Sequence, residues 1–157
     1  MFGFKSKQST LLAPISGTSV SLAEVPDPVF SEKMLGDGAA IIPENGVVVS
    51  PVDGTIADVT ETLHAYCIES DDGLEILIHI GINTVELKGE GFQAFVKNGQ
   101  KVKAGEKLAE VDLKLVQEKG YPIVTPVLIT NPDSLKSMEP SYGFVKSGES
   151  CLIAYRK

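Results

Sequence analysis

The chain has 157 residues, of which 43% are hydrophobic and 22% are charged. This length and composition are typical of one globular domain and argue against a disordered chain. The formal net charge of −7 argues against a nucleic-acid-binding surface, which needs clustered Lys and Arg to neutralise phosphates. No apolar run approaches the length of a membrane-spanning helix.

The N-terminus has lysines followed by only a brief apolar patch, which makes it a poor secretory signal. Residues 1–4, with Lys5 and Lys7, could touch a membrane surface, but a frayed terminus is the favoured interpretation. We therefore predict a flexible segment over residues 1–11 and a single domain over residues 12–157.

The two cysteines, Cys67 and Cys151, lie in apolar strand-like segments without a CxxC motif or metal-binding spacing. The favoured interpretation is that both are buried thiols in a reducing compartment. We therefore expect a cytoplasmic protein.

Short segments rich in β-branched residues, mostly bounded by Gly, Pro, Asp or Asn, predict β-strands. In chain order they cover residues 47–50, 55–59, 65–68, 74–80, 92–96 and 124–130. This pattern is typical of an all-β sandwich or barrel. Helical signals are few. A helix is predicted over residues 113–119, between Asp112 as its cap and Gly120, and a second helical turn over residues 29–34.

Two sequence patterns each occur twice. The first, small-Pro-aliphatic-polar-Gly-Thr, occupies residues 13–18 and 50–55. The second, which ends in Val-Lys-small-Gly-Glu, occupies residues 99–106 and 143–149. Each copy combines turn residues with a short strand. The repetition predicts a duplicated β unit closing on itself, so we expect a β-sandwich or barrel-sandwich hybrid with one or two very short helices.

Chemistry in this chain depends mainly on two histidines, His64 and His79. The chain has no GxSxG elbow, no HExxH motif and no P-loop. Histidine is therefore the best candidate for a reactive side chain. The two histidines lie on either side of residues 69–73, whose sequence is typical of a hairpin turn.

The length of that turn decides whether the histidines share a face of the sheet. A two-residue turn at residues 72–73 makes His64 the diagonal neighbour of His79, roughly 7–8 Å away between backbones. A two-residue turn at residues 71–72 sets them directly opposite each other, whereas a three-residue loop places them on different faces. The alternation of isoleucines within residues 74–80 disfavours the three-residue loop. We therefore predict two imidazoles on one face.

Three kinds of chemistry remain open for this pair. A metal site needs at least a third ligand, and no short-spaced His or Cys residues supply one. General acid–base catalysis is open, but no paired carboxylate or oxyanion loop can be identified. Nucleophilic chemistry, in which an imidazole nitrogen accepts a phosphoryl group, needs a neutral ring, a partner for the other nitrogen and nearby donors. Thr62, His64 and the backbone around Gly81 could supply these groups.

Three separated motifs are similar to those of one known family. Residues 78–92 read Ile-His-Ile-Gly-Ile-Asn-Thr-Val-Glu-Leu-Lys-Gly-Glu-Gly-Phe, residues 62–65 read Thr-Leu-His-Ala, and residues 25–38 run from Val-Pro-Asp to Gly-Asp-Gly. They resemble the active-site signature, the Thr-x-His-Ala segment and the Val-Pro-Asp loop of the glucose-type enzyme IIA of the bacterial phosphoenolpyruvate:sugar phosphotransferase system. The likeness runs from about Leu12 to the C-terminus, so residues 12–157 resemble an EIIA type-1 domain.

The resemblance implies a β-sandwich with a shallow apolar depression and the activity of a transferase component. In that family a histidine takes a phosphoryl group on Nε2 from the phosphocarrier protein HPr. It passes the group to a cysteine on the IIB domain of a glucose-type permease, which supports sugar uptake. Carried over, His79 is the phosphorylated nucleophile and His64 assists the transfer. Thr62 holds His64 or the phosphoryl oxygens, and the Gly81 carbonyl fixes the His79 tautomer.

The resemblance also implies a surface on which partners dock. This apolar rim, for HPr and IIB, comprises Val29, Phe30, Leu35, Leu77 and Val85. The implied protein is a monomer with no resident cofactor that reaches the membrane only through the IIB/IIC permease. It has no metal of its own, and His64 and His79 could share a zinc ion only with ligands from a partner.

Two positions depart from the family pattern, and two other classes share part of it. Asn83 stands where Asp is common and Thr60 stands where some members have an aromatic residue, which affects the rim rather than the phosphoryl chemistry. A lysostaphin-like zinc peptidase also has a duplicated β core, but it needs an HxH arrangement that this sequence lacks. A lipoyl- or biotinyl-type carrier shares the Pro-Val-Asp-Gly-Thr turn, but no convincing acceptor lysine is found.

Overall fold

The computed structural model describes residues 8–157, and within this range nearly all regular structure is β. The strands are β1 (Ser9–Leu12), β2 (Gly17–Val20), β3 (Asp37–Pro43), β4 (Val47–Val49), β5 (Gly54–Val59), β6 (Ala65–Ser70), β7 (Glu75–His79), β8 (Phe92–Ala94), β9 (Lys101–Val102), β10 (Lys107–Val111), β11 (Thr125–Ile129), β12 (Ser137–Pro140), β13 (Gly143–Val145) and β14 (Cys151–Arg156). The helices are α1 (Pro28–Ser31) and α2 (Leu113–Glu118), with 3-10 turns at Leu22–Glu24, Thr84–Leu87 and Pro132–Ser134. The all-β prediction with very short helices is confirmed.

All six predicted strands are present, as β4, β5, β6, β7, β8 and β11. Helix α2 begins after Asp112, whose carboxylate accepts the Leu115 N–H at 3.1 Å. Helix α1 begins after Asp27, which accepts the Val29 N–H at 3.0 Å. Each cap satisfies a backbone donor that the first turn of a helix leaves unpaired.

The largest sheet is antiparallel and has the strand order β13-β2-β3-β11-β7-β6-β5-β9. Two three-stranded sheets, β1-β14-β12 and β4-β10-β8, accompany it. The centre of the large sheet is the pair β7 and β11, in which Leu77 lies opposite Leu128. Four strands, β11 or β7 included, lie on each side of the line between these two strands.

The two halves of the large sheet contain the two copies of each repeated pattern. The Gly of the first pattern pairs with the Val of the second in both halves, as Gly17 with Val145 and Gly54 with Val102. A Cβ on Gly17 or Gly54 would lie 2.1 or 2.3 Å from a neighbouring carbonyl oxygen, respectively. Only glycine therefore fits at these positions, and the predicted duplication is confirmed.

The side chains of the central strands divide between two apolar clusters. Ile76 and Ile78 of β7 join the main core inside the sandwich. Leu77 and the buried Leu128 face the other way, into a smaller cluster completed by Leu22, Val25, Phe30, Ala40 and Ile82. This smaller cluster lies on the face of β7 that also carries His79, so it forms the floor beside the histidines.

Two smaller expectations need correction. The domain begins earlier than residue 12, because β1 already pairs with β14 from Ser9 onward; residues 1–7 of the expected flexible segment lie outside the described residues. Cys67 and Cys151 are free but half-buried rather than buried. In residues 8–157 no helix is long and apolar enough to cross a membrane.

Candidate active site

The hairpin between β6 and β7 has a register that neither favoured turn predicted. Ala65 lies opposite His79, so residues 71–73 form a three-residue loop. The Ser70 hydroxyl accepts the Leu74 N–H at 2.8 Å and donates to Asp72. Gly73 adopts a φ of +93°, the left-handed conformation that such loops require. Both two-residue turns are therefore wrong, and the hydrogen bonds of the Ser70 side chain hold the three-residue loop.

The two imidazoles nevertheless meet. Their ring centroids are 4.8 Å apart with an interplanar angle of 81°. Strand β6 begins at Ala65, and His64 just before it keeps one backbone bond to β7, from the Ile80 N–H to its carbonyl at 2.7 Å; the left-handed Leu63 (φ +60°) redirects the chain immediately ahead of it. The side chain of His64 is therefore not bound by strand alternation. The predicted convergence is confirmed, although the predicted reason for it is not.

His79 is held in one tautomer by the backbone of the turn that follows it. Its Nδ1 lies 2.7 Å from the carbonyl oxygen of Gly81. A carbonyl can only accept, so Nδ1 carries the hydrogen and the lone pair of the neutral ring is on Nε2. Burial lowers the pKa of His79, while the Gly81 carbonyl and the charge of Asp27 act in the opposite direction. The half-buried ring also packs on Phe30, with centroids 4.9 Å apart.

His64 is buried and is held by two hydroxyl groups. Its Nδ1 lies 2.7 Å from Thr62 Oγ1 and 3.4 Å from Thr60 Oγ1. Burial, and to a smaller extent the neighbouring His79, lower the pKa of His64 from 6.5 to about 4. Desolvation disfavours the charged form of an imidazole. Both rings are therefore neutral at pH 7, as a nitrogen nucleophile requires.

Thr60 is a site residue that the sequence did not identify. It was noted only as a departure from an aromatic position. Its Oγ1 accepts the Ala65 N–H at 3.1 Å, which closes the loop that carries His64. The available signal was the spacing Thr60-Glu-Thr62-Leu-His64, in which two hydroxyl residues precede the histidine at intervals of two.

The residues of the expected apolar rim have unequal access to solvent. Leu35 and Val85 are each 47% exposed, whereas Val29 and Leu77 are half-buried. Phe30 is only 3% exposed, because it fills the small cluster and supports the ring of His79. It therefore offers little surface to a partner, which corrects its expected place on the rim. Met34, the chain neighbour of Leu35, is 68% exposed.

The site contains few groups that could hold a metal ion. Among residues 8–157 no cluster of three or more His, Cys, Asp or Glu side chains is arranged for metal binding. The histidine pair supplies two nitrogen ligands, fewer than a zinc site takes from one chain. The arrangement instead presents a neutral nitrogen nucleophile beside a second neutral imidazole.

Comparisons with known proteins show the family to which this chain is similar. The family model of the phosphoenolpyruvate-dependent sugar phosphotransferase system, EIIA 1, matches residues 9–135. The glucose-specific EIIA component of this system from Bacillus cereus is 50% identical over 141 residues, which cover 90% of this chain and 86% of that protein. The glucoside-specific EIICBA component from Staphylococcus carnosus is 46% identical over 92% of this chain, but the match covers 21% of that longer protein. The structure of glucose permease IIA from Mycoplasma capricolum superimposes with a TM-score of 0.89 at 44% identity, over 98% of this chain and 99% of that one.

Proposed function

The chain belongs to the EIIA 1 family of the phosphoenolpyruvate-dependent sugar phosphotransferase system, and from this premise we propose that His79 carries its phosphoryl group. The protein is a phosphocarrier, a transferase component that holds a phosphoryl group on a histidine during sugar uptake. The observation that supports His79 is the 2.7 Å hydrogen bond from its Nδ1 to Gly81, which leaves Nε2 as the nucleophile.

The transfer to His79 needs no proton movement on this ring. The Nε2 lone pair attacks the phosphorus of phospho-HPr while the bond from phosphorus to the HPr nitrogen breaks, and that nitrogen keeps the electron pair. The hydrogen stays on Nδ1 throughout and is donated to the Gly81 carbonyl oxygen. In the second transfer a cysteine thiolate of IIB attacks the phosphorus, and Nε2 recovers its lone pair.

His64 is proposed to assist both transfers. Its ring lies edge-on to His79 and is neutral before transfer. It therefore carries no positive charge that would draw the incoming phosphoryl group away from His79. When the Thr62 hydroxyl donates to Nδ1 of His64, the hydrogen of that imidazole is on Nε2. This hydrogen is then available to a phosphoryl oxygen, which stabilises the transferring charge.

Partner docking is assigned to the apolar rim that the resemblance implies. Leu35, Val85 and the neighbouring Met34 are exposed, while Val29 and Leu77 are half-buried and pack against the smaller cluster. An apolar surface excludes water from a labile phosphohistidine during transfer. The net charge of −7 suits a basic docking face on HPr.

The proposed setting is the cytoplasm, with the monomer shuttling between HPr and the permease. The relative named EIICBA component supports IIB and IIC domains as partners. No cofactor takes part in the transfer, and a zinc ion at His64 and His79 would require ligands from a partner. The zinc peptidase and the lipoyl-type carrier have no support from the comparisons.

The test is phosphorylation with phosphoenolpyruvate, enzyme I and HPr, followed by mass spectrometry to locate the acid-labile phosphate. We expect it on His79 in the wild-type protein and absent from His79→Ala. The matched variant His64→Gln should still accept phosphate but fail to deliver it to IIB. Labelling of His79→Ala at the wild-type rate would refute the assignment of the nucleophile, and normal delivery by His64→Gln would refute the role of His64.

A further inference from the structure

We propose that Thr84 is a positioning residue for the phosphoryl transfer, because it fixes the turn whose Gly81 carbonyl sets the tautomer of His79. This inference rests on the proposed role of His79 as the nucleophile. Thr84 lies within the motif at residues 78–92, but the resemblance gives it no role in the transfer. It acts through the backbone and does not touch the reacting nitrogen.

The contact that carries the proposal is a buried side-chain hydrogen bond. Thr84 is fully buried, and its Oγ1 donates to the carbonyl oxygen of Ile80 at 2.5 Å. Ile80 is the last residue before Gly81, so this bond fixes the peptide unit that enters the turn. A threonine hydroxyl that bonds a carbonyl four residues earlier satisfies that carbonyl locally and favours a turn over regular secondary structure.

The next peptide unit is held at both of its ends. The carbonyl of Gly81 accepts the hydrogen of His79 Nδ1 at 2.7 Å, and the N–H of the same peptide, from Ile82, donates to the carbonyl of Pro122 at 3.1 Å. A peptide unit is planar, so these two bonds fix the direction of the carbonyl. Rotation of this unit would break both bonds.

Packing around Gly81 holds the same turn from two sides. Gly81 has a φ of +75°, and a Cβ there would lie 2.6 Å from Thr84 Cγ2 and 2.9 Å from the Pro122 carbonyl oxygen. Thr84 and Pro122, which form hydrogen bonds with the turn, therefore also pack against the α-carbon of Gly81. Thr84 contributes its methyl group to this packing and its hydroxyl group to the bond with Ile80.

The chemical consequence concerns which nitrogen of His79 is free to react. When the Gly81 carbonyl accepts a hydrogen bond from Nδ1, the ring hydrogen is on Nδ1 and Nε2 is nucleophilic. When the carbonyl turns away, the hydrogen is no longer confined to Nδ1, and the tautomer with hydrogen on Nε2 is populated. That tautomer cannot attack phosphorus through Nε2.

The experiment compares three single variants. Thr84→Val keeps the shape and removes the hydroxyl, and Thr84→Ser keeps the hydroxyl. Thr130→Val is the control, because the Thr130 hydroxyl also donates to a backbone carbonyl of β7, that of Glu75 at the opposite end of the strand, at 3.3 Å. The imidazole ¹⁵N shifts of His79 in the unphosphorylated protein report its tautomer, and a separate assay gives its rate of phosphorylation by phospho-HPr.

We expect the Nε2–H tautomer of His79 to become populated in Thr84→Val and to stay minor in Thr84→Ser and Thr130→Val. The phosphorylation rate of Thr84→Val should fall roughly tenfold, which is the effect that the net free energy of one hydrogen bond can produce. An unchanged tautomer in a folded Thr84→Val overturns the proposal, and so does an equal shift in Thr130→Val.

One further measurement keeps the test decisive. If Thr84→Val does not fold, the exchange of the Thr84 hydroxyl proton in the wild-type protein decides: slow exchange supports the proposal and fast exchange overturns it. The tautomer is measured without any phosphoryl donor. Phosphate found on a residue other than His79 would therefore refute the proposed function, while the tautomer result would still decide the role of Thr84.

Discussion

The buried imidazole of His64 should make the folded protein sensitive to acid. In the folded state its pKa is about 4, whereas the unperturbed value is 6.5. Between pH 6.5 and about pH 4 the unfolded chain therefore binds a proton that the folded chain does not bind. The stability that is fully present above pH 6.5 is lost as the pH falls to about 4.

The size of this loss follows from the two pKa values. At pH 4 the difference in proton binding lowers the free energy of unfolding by ~3 kcal/mol, since one pKa unit corresponds to about 1.4 kcal/mol. Domains of this size have a total stability of roughly 5–15 kcal/mol. One titrating side chain would thus remove a substantial part of the stability.

This loss of stability can be measured by urea unfolding, followed by circular dichroism, of the wild-type protein and of His64→Gln at pH 7 and pH 4. The carboxylates of both proteins titrate alike, so their contribution cancels in the comparison. The stability of the wild-type protein relative to His64→Gln should fall by ~3 kcal/mol between the two pH values. A change below about 0.5 kcal/mol would refute the reasoning, as would an NMR titration of His64 near its unperturbed pKa.

Two other side chains have predictable effects on stability, each measurable by urea unfolding at pH 7. Thr60→Val removes the acceptor of the Ala65 N–H and should lower the free energy of unfolding by about 1–2 kcal/mol, with recovery in Thr60→Ser; a Thr60→Val variant as stable as the wild type would contradict this. Tyr66→Phe should raise the free energy of unfolding by about 1 kcal/mol, because the fully buried Tyr66 hydroxyl has no hydrogen-bond partner among the described residues. A loss of stability in Tyr66→Phe would show that the hydroxyl is satisfied after all.

Local sequence was sufficient for the elements whose signals lie within a few residues. Helix α2 was predicted from Asp112 and Gly120, and β7 from its isoleucines. Strand β3 was missed, since Gly38-Ala39-Ala40 has little intrinsic strand preference. Its small residues are required by the close approach of β11, where a Cβ on Gly38 would lie 2.1 Å from the Val127 carbonyl oxygen. Such a requirement becomes visible only when the two strands are side by side.

The candidate site divides in the same way. Motifs in the sequence identified His79, His64, Thr62 and Gly81, because their spacing within short segments is itself the signal. The exposure of each rim residue was not readable from sequence. The resemblance places Phe30, in a Pro-rich loop, among the docking residues. In the structure it is buried, because its aromatic side chain fills the smaller cluster on the outer face of β7 and β11.

The sequence by itself therefore determined the all-β class, the duplication, the alternation along β7 and the identity of the histidine pair. Each of these depends on residue types and spacings along one stretch of chain. The tertiary structure decided the hairpin register, the approach of the two rings to 4.8 Å and the hydrogen bonds that fix the direction of the Gly81 carbonyl. These depend on hydrogen bonds and contacts that the folded backbone alone brings together, such as the bond from Ile82 to Pro122, whose partners are far apart in the chain.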